Sequence, residues 1–266
     1  MSDSLVVVQT EGAVRSLALN RPKALNALDQ DLTVALREAV FAAEADARVR
    51  VLVLKGGEHF MAGGDLKWFR GLVEGHSSED NRIRFERFIN EVHPVILSLR
   101  RMAKPVIASV NGAAAGFGLS LVLACDLALA AETAYFTLAY SLIGASPDGG
   151  STFALPRTVG LKKAMEIALL GDRFSAATAC ELGIVNRVVP AAELEAETQK
   201  LAARLAAGPT AVYGRTKALL NGSSAHTLET QLQREAEAFA RSASEPDFLE
   251  GLSAFIEKRK ARFSGH

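Results

Sequence analysis

Residues 116–125 read "GFGLSLVLAC", and a helix over this stretch is apolar on every side. Such a helix has no face to give to water, so it must lie at the centre of a core. The neighbouring chain has to supply the walls. "KPVIASVNG" leads into it and "DLALAA" leaves it, and both read as strands. Upstream, "VRVLVLKGG" at 49–57 is a continuous β-branched run of the kind buried on both faces of a sheet. Helices fall between these strands, and that alternation predicts an α/β architecture.

The flanking segments follow by pattern. "LVVVQT" and "VRSLALN" predict a strand pair joined at Glu11-Gly12. Asp29 is placed to cap a helix that carries Leu32, Leu36, Val40 and Ala43 on one face. Phe85, Phe88, Val92, Val95 and Leu99 predict a helix over 78–100, which Pro94 should kink near His93. Beyond residue 192 the chain reads as all helical. One helix stops at Gly208-Pro209, another at Asn221-Gly222, and amphipathic helices follow over 227–241 and 246–262. The expected division is a core at 1–192 and a helical lobe at 193–266.

Composition narrows the function classes. Of 266 residues, 49% are hydrophobic and 23% charged, as in a packed soluble domain. Lys plus Arg and Asp plus Glu are both 30, so no bulk field draws nucleic acid or an anionic membrane. Cys125 and Cys180 read as buried small hydrophobes rather than a disulfide. "MSDSLVVVQTEG" lacks a basic n-region and a long apolar stretch, so it reads as a first strand and not a signal peptide. No run of about 18 apolar residues predicts a membrane span. The expected compartment is the cytoplasm.

Several chemistries find no support. "GFGLSL" lacks the third glycine of a dinucleotide fingerprint, and there is neither a GK[ST] nor a G-x-S-x-G motif. His59, His76, His93, His226 and His266 show no metal-ligand spacing, so no metal is expected. Two stretches are more informative. "HFMAGGDL" (59–66) and "NGAAAGFGLSL" (111–121) each place small residues where a buried strand ends. There the backbone can approach a ligand closely, and the second stretch opens a helix whose N-terminus favours negative charge. Converging N–H groups at Gly64 and Phe117 would form an oxyanion hole; for either stretch alone, tight helix–strand packing by glycine is the better explanation. A third stretch, "SLIGASPDGGST" (141–152), sets Asp148 among small residues with no other acid between Glu132 and Glu166. Such an Asp is commonly a turn former.

Taken in order, "NRPKALNALD", "FMAGGDL", "KPVIASVNGAAAGFGLSLVLACDLALA", "GDRFSAATACELGIVNRVV" and "AFIEKRKARF" give the chain a near full-length resemblance to the crotonase (enoyl-CoA hydratase/isomerase) superfamily. The resemblance implies a spiral of repeated ββα units with a C-terminal all-helical lobe, assembled as homotrimers or hexamers. It implies an acyl-CoA thioester as substrate, with coenzyme A part of that substrate and no prosthetic group. Carried over by position, the oxyanion donors are the N–H groups of Gly64 and Phe117. Lys23, Ala24 and Leu25 match a backbone contact to coenzyme A, Ala62 an adenine contact, and Lys67 lies near enough to serve a phosphate. Phe255 and Lys258 match residues that reach a neighbouring subunit's coenzyme A. The "EKRKAR" run also suits a solvated helix end.

The sequence departs from the family's hydratases. Their two glutamates fall at Ser120 and Tyr140 here, so both acids are absent. Asp148 instead matches the single catalytic Asp of ring-epoxide isomerases of phenylacetate breakdown, which carry a similar "PD-small-GG" loop. The same position holds the nucleophile of 4-chlorobenzoyl-CoA dehalogenases, which also place a base at the position of His93 and an aromatic at that of Tyr140. The leading expectation is an acyl-CoA double-bond or ring isomerase with Asp148 as proton shuttle. The alternatives are a dehalogenase or hydrolase with Asp148 as nucleophile and His93 as base, an enoyl-CoA hydratase homologue, and a coenzyme A thioester-binding protein without catalysis.

Overall fold

In the computed structural model, which describes residues 4–265, β1 (Val6–Glu11) and β2 (Val14–Leu19) form an antiparallel pair that turns at Gly12, φ 57°. Residues 1–3 of the expected first-strand stretch, and His266, lie outside the described residues. The side chain of Asp29 accepts from Leu32 N–H and caps α1 (Gln30–Ala45), as its position predicts. β3 (Val51–Lys55) then adds parallel to β2. α2 (Leu66–Val73) and α3 (Ser78–Arg101) follow. α3 opens on a capping box between Ser77 and Asp80, with basic Arg100 and Arg101 in its last turn.

Pro94 does not end α3, which stays helical on both sides of it. Val92, Val95, Ile96 and Leu99 are all buried. Each contributes roughly 1.5–3 kcal/mol, together more than the hydrogen bond that Pro94 cannot donate.

β4 (Val106–Val110), β5 (Ala113–Ala115) and α4 (Phe117–Ala124) come next, then β6 (Leu127–Ala131) and β7 (Tyr135–Thr137). α5 (Ser151–Val159), α6 (Leu161–Leu170), β8 (Phe174–Ser175), α7 (Ala176–Glu181) and β9 (Arg187–Val189) complete the sheets. The larger sheet runs β1-β2-β3-β4-β6-β9 and is parallel from β2 onward; the smaller runs β5-β7-β8. Successive turns of chain repeat one step. β4 leads to β5 and then α4; β6 leads to β7 and then, past a short 3-10 turn at Tyr140–Ile143, to α5. β3 leads to Met61, which bridges Ala114 of β5 in parallel, and then to α2. The β4 and β6 units thus send one strand to the large sheet and a short one to the small sheet, and the β3 unit reaches the small sheet through the Met61 bridge. This is the crotonase spiral.

α4 sits inside that spiral, with Phe117, Leu119, Ser120, Leu121 and Val122 all buried. The other face of the large sheet is covered by α8 (Leu194–Ala206), through Leu194 and Ala202 against Val51, Val53, Ile107 and Leu129. The helices that reach beyond the sheet are α9 (Thr210–Gly222), α10 (Leu228–Ala243) and α11 (Pro246–Ile256). α9 is tied back by Lys217 Nζ, which donates to Asp126 Oδ2 and to the Leu99 carbonyl, both at 2.7 Å. The last helix ends at Ile256, short of the expected 262, and Lys258 just beyond it is left-handed at φ 55°. The end is held elsewhere: Glu250 accepts from Arg259 and from Arg262 N–H, and Asp247 from Ser264 N–H.

Candidate active site

The N-terminus of α4 rests on one residue's backbone freedom. Gly116 has φ 52° and ψ −119°, a conformation open to glycine alone. It turns the chain from β5 into the helix and presents Phe117 N–H at the helix end. Gly63 packs against it: a side chain at Gly63 would lie 3.1 Å from Ala115 O, and one at Gly116 3.5 Å from Gly63 Cα. The two small-residue stretches thus meet. Neither Gly64 N–H nor Phe117 N–H donates to an acceptor among the described residues.

The 62–65 loop is clamped from behind. Leu28 N–H donates to Gly63 O at 2.7 Å, Asp65 N–H to Leu28 O at 2.9 Å and Ala62 N–H to Leu25 O at 3.0 Å. Asp65 caps α2 by accepting from Lys67 and Trp68 N–H, and it pairs with Arg21, which also pairs with Asp29, each at 2.8 Å. Glycine at 64 is needed for packing too, since a Cβ there would meet the Phe69 ring at 2.3 Å. A substitution at Gly64 therefore disturbs packing as well as the N–H.

Asp148 lies beside this turn. Tyr140 Oη donates to its Oδ1 at 2.5 Å. A side chain at Gly116 would come within 3.8 Å of Tyr140 Cζ, so the tyrosine tip lies next to the start of α4. Ser120 Oγ donates to the Asp148 carbonyl at 3.0 Å, and Ser151 Oγ to the same oxygen at 2.9 Å. The two residues at the glutamate positions of the hydratase pattern thus both hold Asp148, one by its carboxylate and one by its backbone. Burial raises the Asp148 carboxyl above the ordinary aspartate range, partly offset by the Tyr140 hydrogen bond and the nearby His93 ring. Burial, reinforced by the Asp148 charge, likewise pushes the Tyr140 phenol up.

A cleft of about 390 Å³ opens at this point, of a size suited to a small acyl group. Ser120, Gly149 and Gly150 line it next to Asp148, which, like Tyr140, Gly64 and Phe117, borders the cleft without lining it; His93, Ile96, Leu97 and Arg100 of α3 form one wall, and Leu123, Ala124, Phe153 and Ala154 the rest. The Phe117 ring packs against Gly149, where an added Cβ would meet it at 2.7 Å.

The remaining expected residues spread outward. Lys23 and Ala24 sit in the 3-10 turn Pro22–Ala24, and Leu25 and Asn26 after it are left-handed at φ 51° and 57°. Buried Asn26 holds that turn in place, donating to His59 O at 2.7 Å. Since Ala62 N–H is engaged by Leu25, only its carbonyl is free to meet a ligand. Lys67 is exposed on the first turn of α2. Phe255 and Lys258, both exposed, lie at the end of α11 and do not line the cleft. Sequence reasoning missed Arg100, Ser151 and Phe153. Arg100 was in principle findable, because it falls seven residues after His93 on the same helix face.

The model of the enoyl-CoA hydratase/isomerase family matches residues 9–266. The chain belongs to that family. It is 38% identical to 1,2-epoxyphenylacetyl-CoA isomerase of Escherichia coli (strain K12) over 98% of both chains. It is 36% identical to 4-chlorobenzoyl coenzyme A dehalogenase-2 of an Arthrobacter species, over 97% of this chain and 92% of that one. Among solved structures, an enoyl-CoA hydratase from Polaromonas sp. JS666 superposes with a TM-score of 0.91 at 36% identity, covering 97% of this chain and 99% of that one. Enoyl-CoA hydratase/isomerase enzymes act on coenzyme A thioesters, and the relatives' names span isomerase, dehalogenase and hydratase.

Proposed function

We infer that the chain is an acyl-CoA isomerase that moves a double bond or rearranges a ring next to the thioester, with Asp148 as its one proton carrier. The observation that carries this reading is the pairing of Asp148 with Tyr140 and Ser120. The positions that would bear two glutamates bear a phenol and a hydroxyl, and both brace one carboxylate.

The chemistry runs as follows. The thioester oxygen accepts from Gly64 and Phe117 N–H, each donor worth roughly 3 kcal/mol in the transition state. Asp148 takes a proton as a C–H bond breaks, and the electron pair passes into the enolate, whose charge rests on that oxygen. The same carboxyl returns the proton at another carbon and is regenerated. A carboxyl raised by burial is the stronger base once ionised, and one group suffices for both transfers. Lys23, Ala24, Leu25, Ala62 and Lys67 hold the coenzyme A moiety, and Phe255 and Lys258 close over that of a neighbouring subunit. In this reading the helices after residue 192 serve assembly, and the enzyme is a trimer or a pair of trimers.

A second reading rests on one specific observation. His93 lines the same cleft and lies close enough to Asp148 to act on it electrostatically. An ionised Asp148 could then attack an aryl carbon or the thioester, with His93 activating the water that releases the product. Turnover of a coenzyme A thioester panel in ¹⁸O water separates the two. Isomerisation leaves Asp148 unlabelled, whereas a nucleophilic mechanism places ¹⁸O in its carboxyl. Binding without turnover across the panel would overturn both readings in favour of a thioester-binding protein.

A further inference from the structure

The far end of the cleft carries positive charge that no acid among the described residues pairs with directly. Arg100 lines the cleft on the wall that begins at His93. Its Nη2 donates to Asn221 Oδ1 at 2.7 Å, and Asn221 Nδ2 returns a bond to the Arg100 carbonyl at 3.0 Å. That side chain is held in place by an amide, not by an acid. Phe153 packs beside it, with its ring 5.4 Å from the Arg100 guanidinium and 3.7 Å from that of Arg157. Neither arginine forms an ion pair among the described residues. Asp126, the acid whose charge reaches Arg100, is already bonded to Lys217 Nζ at 2.7 Å and to Val106 N–H at 2.8 Å. No acidic residue is among the lining, and Asp148 adjoins the cleft only through Ser120 and Gly149. Two like charges therefore flank one aromatic ring at the end of an otherwise mainly apolar passage.

We propose that Arg100 selects acyl groups whose far end bears a carboxylate. The proposal rests on reading this cleft as the acyl site. His93 and Arg100 are seven residues apart on α3, so the anion would lie roughly 10 Å along the helix from the reacting end. Guanidinium geometry suits a carboxylate, which can accept two parallel N–H bonds. The fixed, half-buried Arg100 loses little freedom in meeting it, and relief of the Arg100–Arg157 repulsion adds to the attraction. A neutral alkyl end would leave both cations unmatched beside an apolar group. The substrate class is thus a thioester of a dicarboxylic acid, linked to coenzyme A at one end only.

Equilibrium binding tests this without any reaction. Saturated straight-chain thioesters of increasing length, each ending in either a free carboxylate or its methyl ester, cannot undergo double-bond isomerisation, so the outcome does not depend on the role of Asp148. The expected result is that the wild type binds the carboxylate form roughly ten- to a hundredfold more tightly at the best-fitting length. Arg100→Met removes the preference, and Arg100→Lys keeps part of it, which guards against a folding effect of the first variant. Equal or tighter binding of the methyl ester by the wild type overturns the proposal, as does a preference that survives in Arg100→Met. Failure of every thioester to bind would overturn the acyl-CoA reading and this proposal with it. Absence of turnover with normal binding would leave the Arg100 proposal standing and count only against the isomerase.

Discussion

Tyr140 tempers how far burial raises Asp148. Its hydroxyl donates to the carboxylate and so favours the ionised form, against the burial that raises the pKa. Removing that donor in Tyr140→Phe leaves burial less opposed, and the Asp148 pKa rises further. A base must be ionised to work, so turnover increases with pH through its pKa and is lost below it. The acidic limb of the pH–rate profile should therefore move to higher pH in Tyr140→Phe, with the fold unchanged. A limb that stays in place would mean that another group titrates there. Asp148 was visible in the sequence as a lone acid, but its bracing was not. Ser120 stood in the sequence only as the place of a missing glutamate; it is buried, and its hydroxyl bonds the Asp148 carbonyl 28 residues away. No local pattern carries that pairing, because it depends on how α4 and the 141–150 segment are brought together.

Among elements, α4 depends on a close approach that one methyl group would break. A Cβ at Gly118 would lie 2.3 Å from Met61 O, so the helix and the strand end carrying Gly63 and Gly64 meet backbone to backbone. Gly118→Ala should cost roughly 1–3 kcal/mol by overpacking. It should also separate the Phe117 and Gly64 N–H groups and lower turnover more than thioester binding. Chemical denaturation and steady-state kinetics on the same variant check both effects; unchanged stability would show that the contact yields freely. Long or strongly patterned elements were legible: β3, β4 and β6 by their apolar runs, α1 by Asp29, α4 by its lack of a polar face. The small sheet was not, because β5, β7 and β8 have three, three and two residues, too few to show a period. α11 was overextended because the charges after Ile256 suit a helix end, whereas Glu250 draws Arg259 and Arg262 back and turns the chain.

At the scale of the whole molecule, the C-terminal helices leave an apolar face open. Leu228, Leu232, Phe239, Leu249, Leu252, Phe255 and Ile256 are exposed, Phe255 to 86%. Exposed apolar side chains gathered on two neighbouring helices suit the proposed association surface. Light scattering at micromolar concentration should give a mass of three or six chains, and a monomer would contradict the proposed assembly. The family's overall plan was legible from short motifs in their order along the chain. The proposed acyl specificity was not, since Arg100, Asn221 and Phe153 come together only in the fold.

The central claim is that Asp148 moves the proton. The most direct measurement is solvent deuterium exchange at the carbon next to the thioester, followed in wild type and in Asp148→Asn. Asn keeps the shape and can still meet Tyr140, but it cannot accept the proton. Wild type should exchange that hydrogen. The variant should bind the same thioester with little change and exchange it slower by orders of magnitude. Exchange at the wild-type rate in a folded, thioester-binding Asp148→Asn would contradict the account and return Asp148 to the role of a turn former.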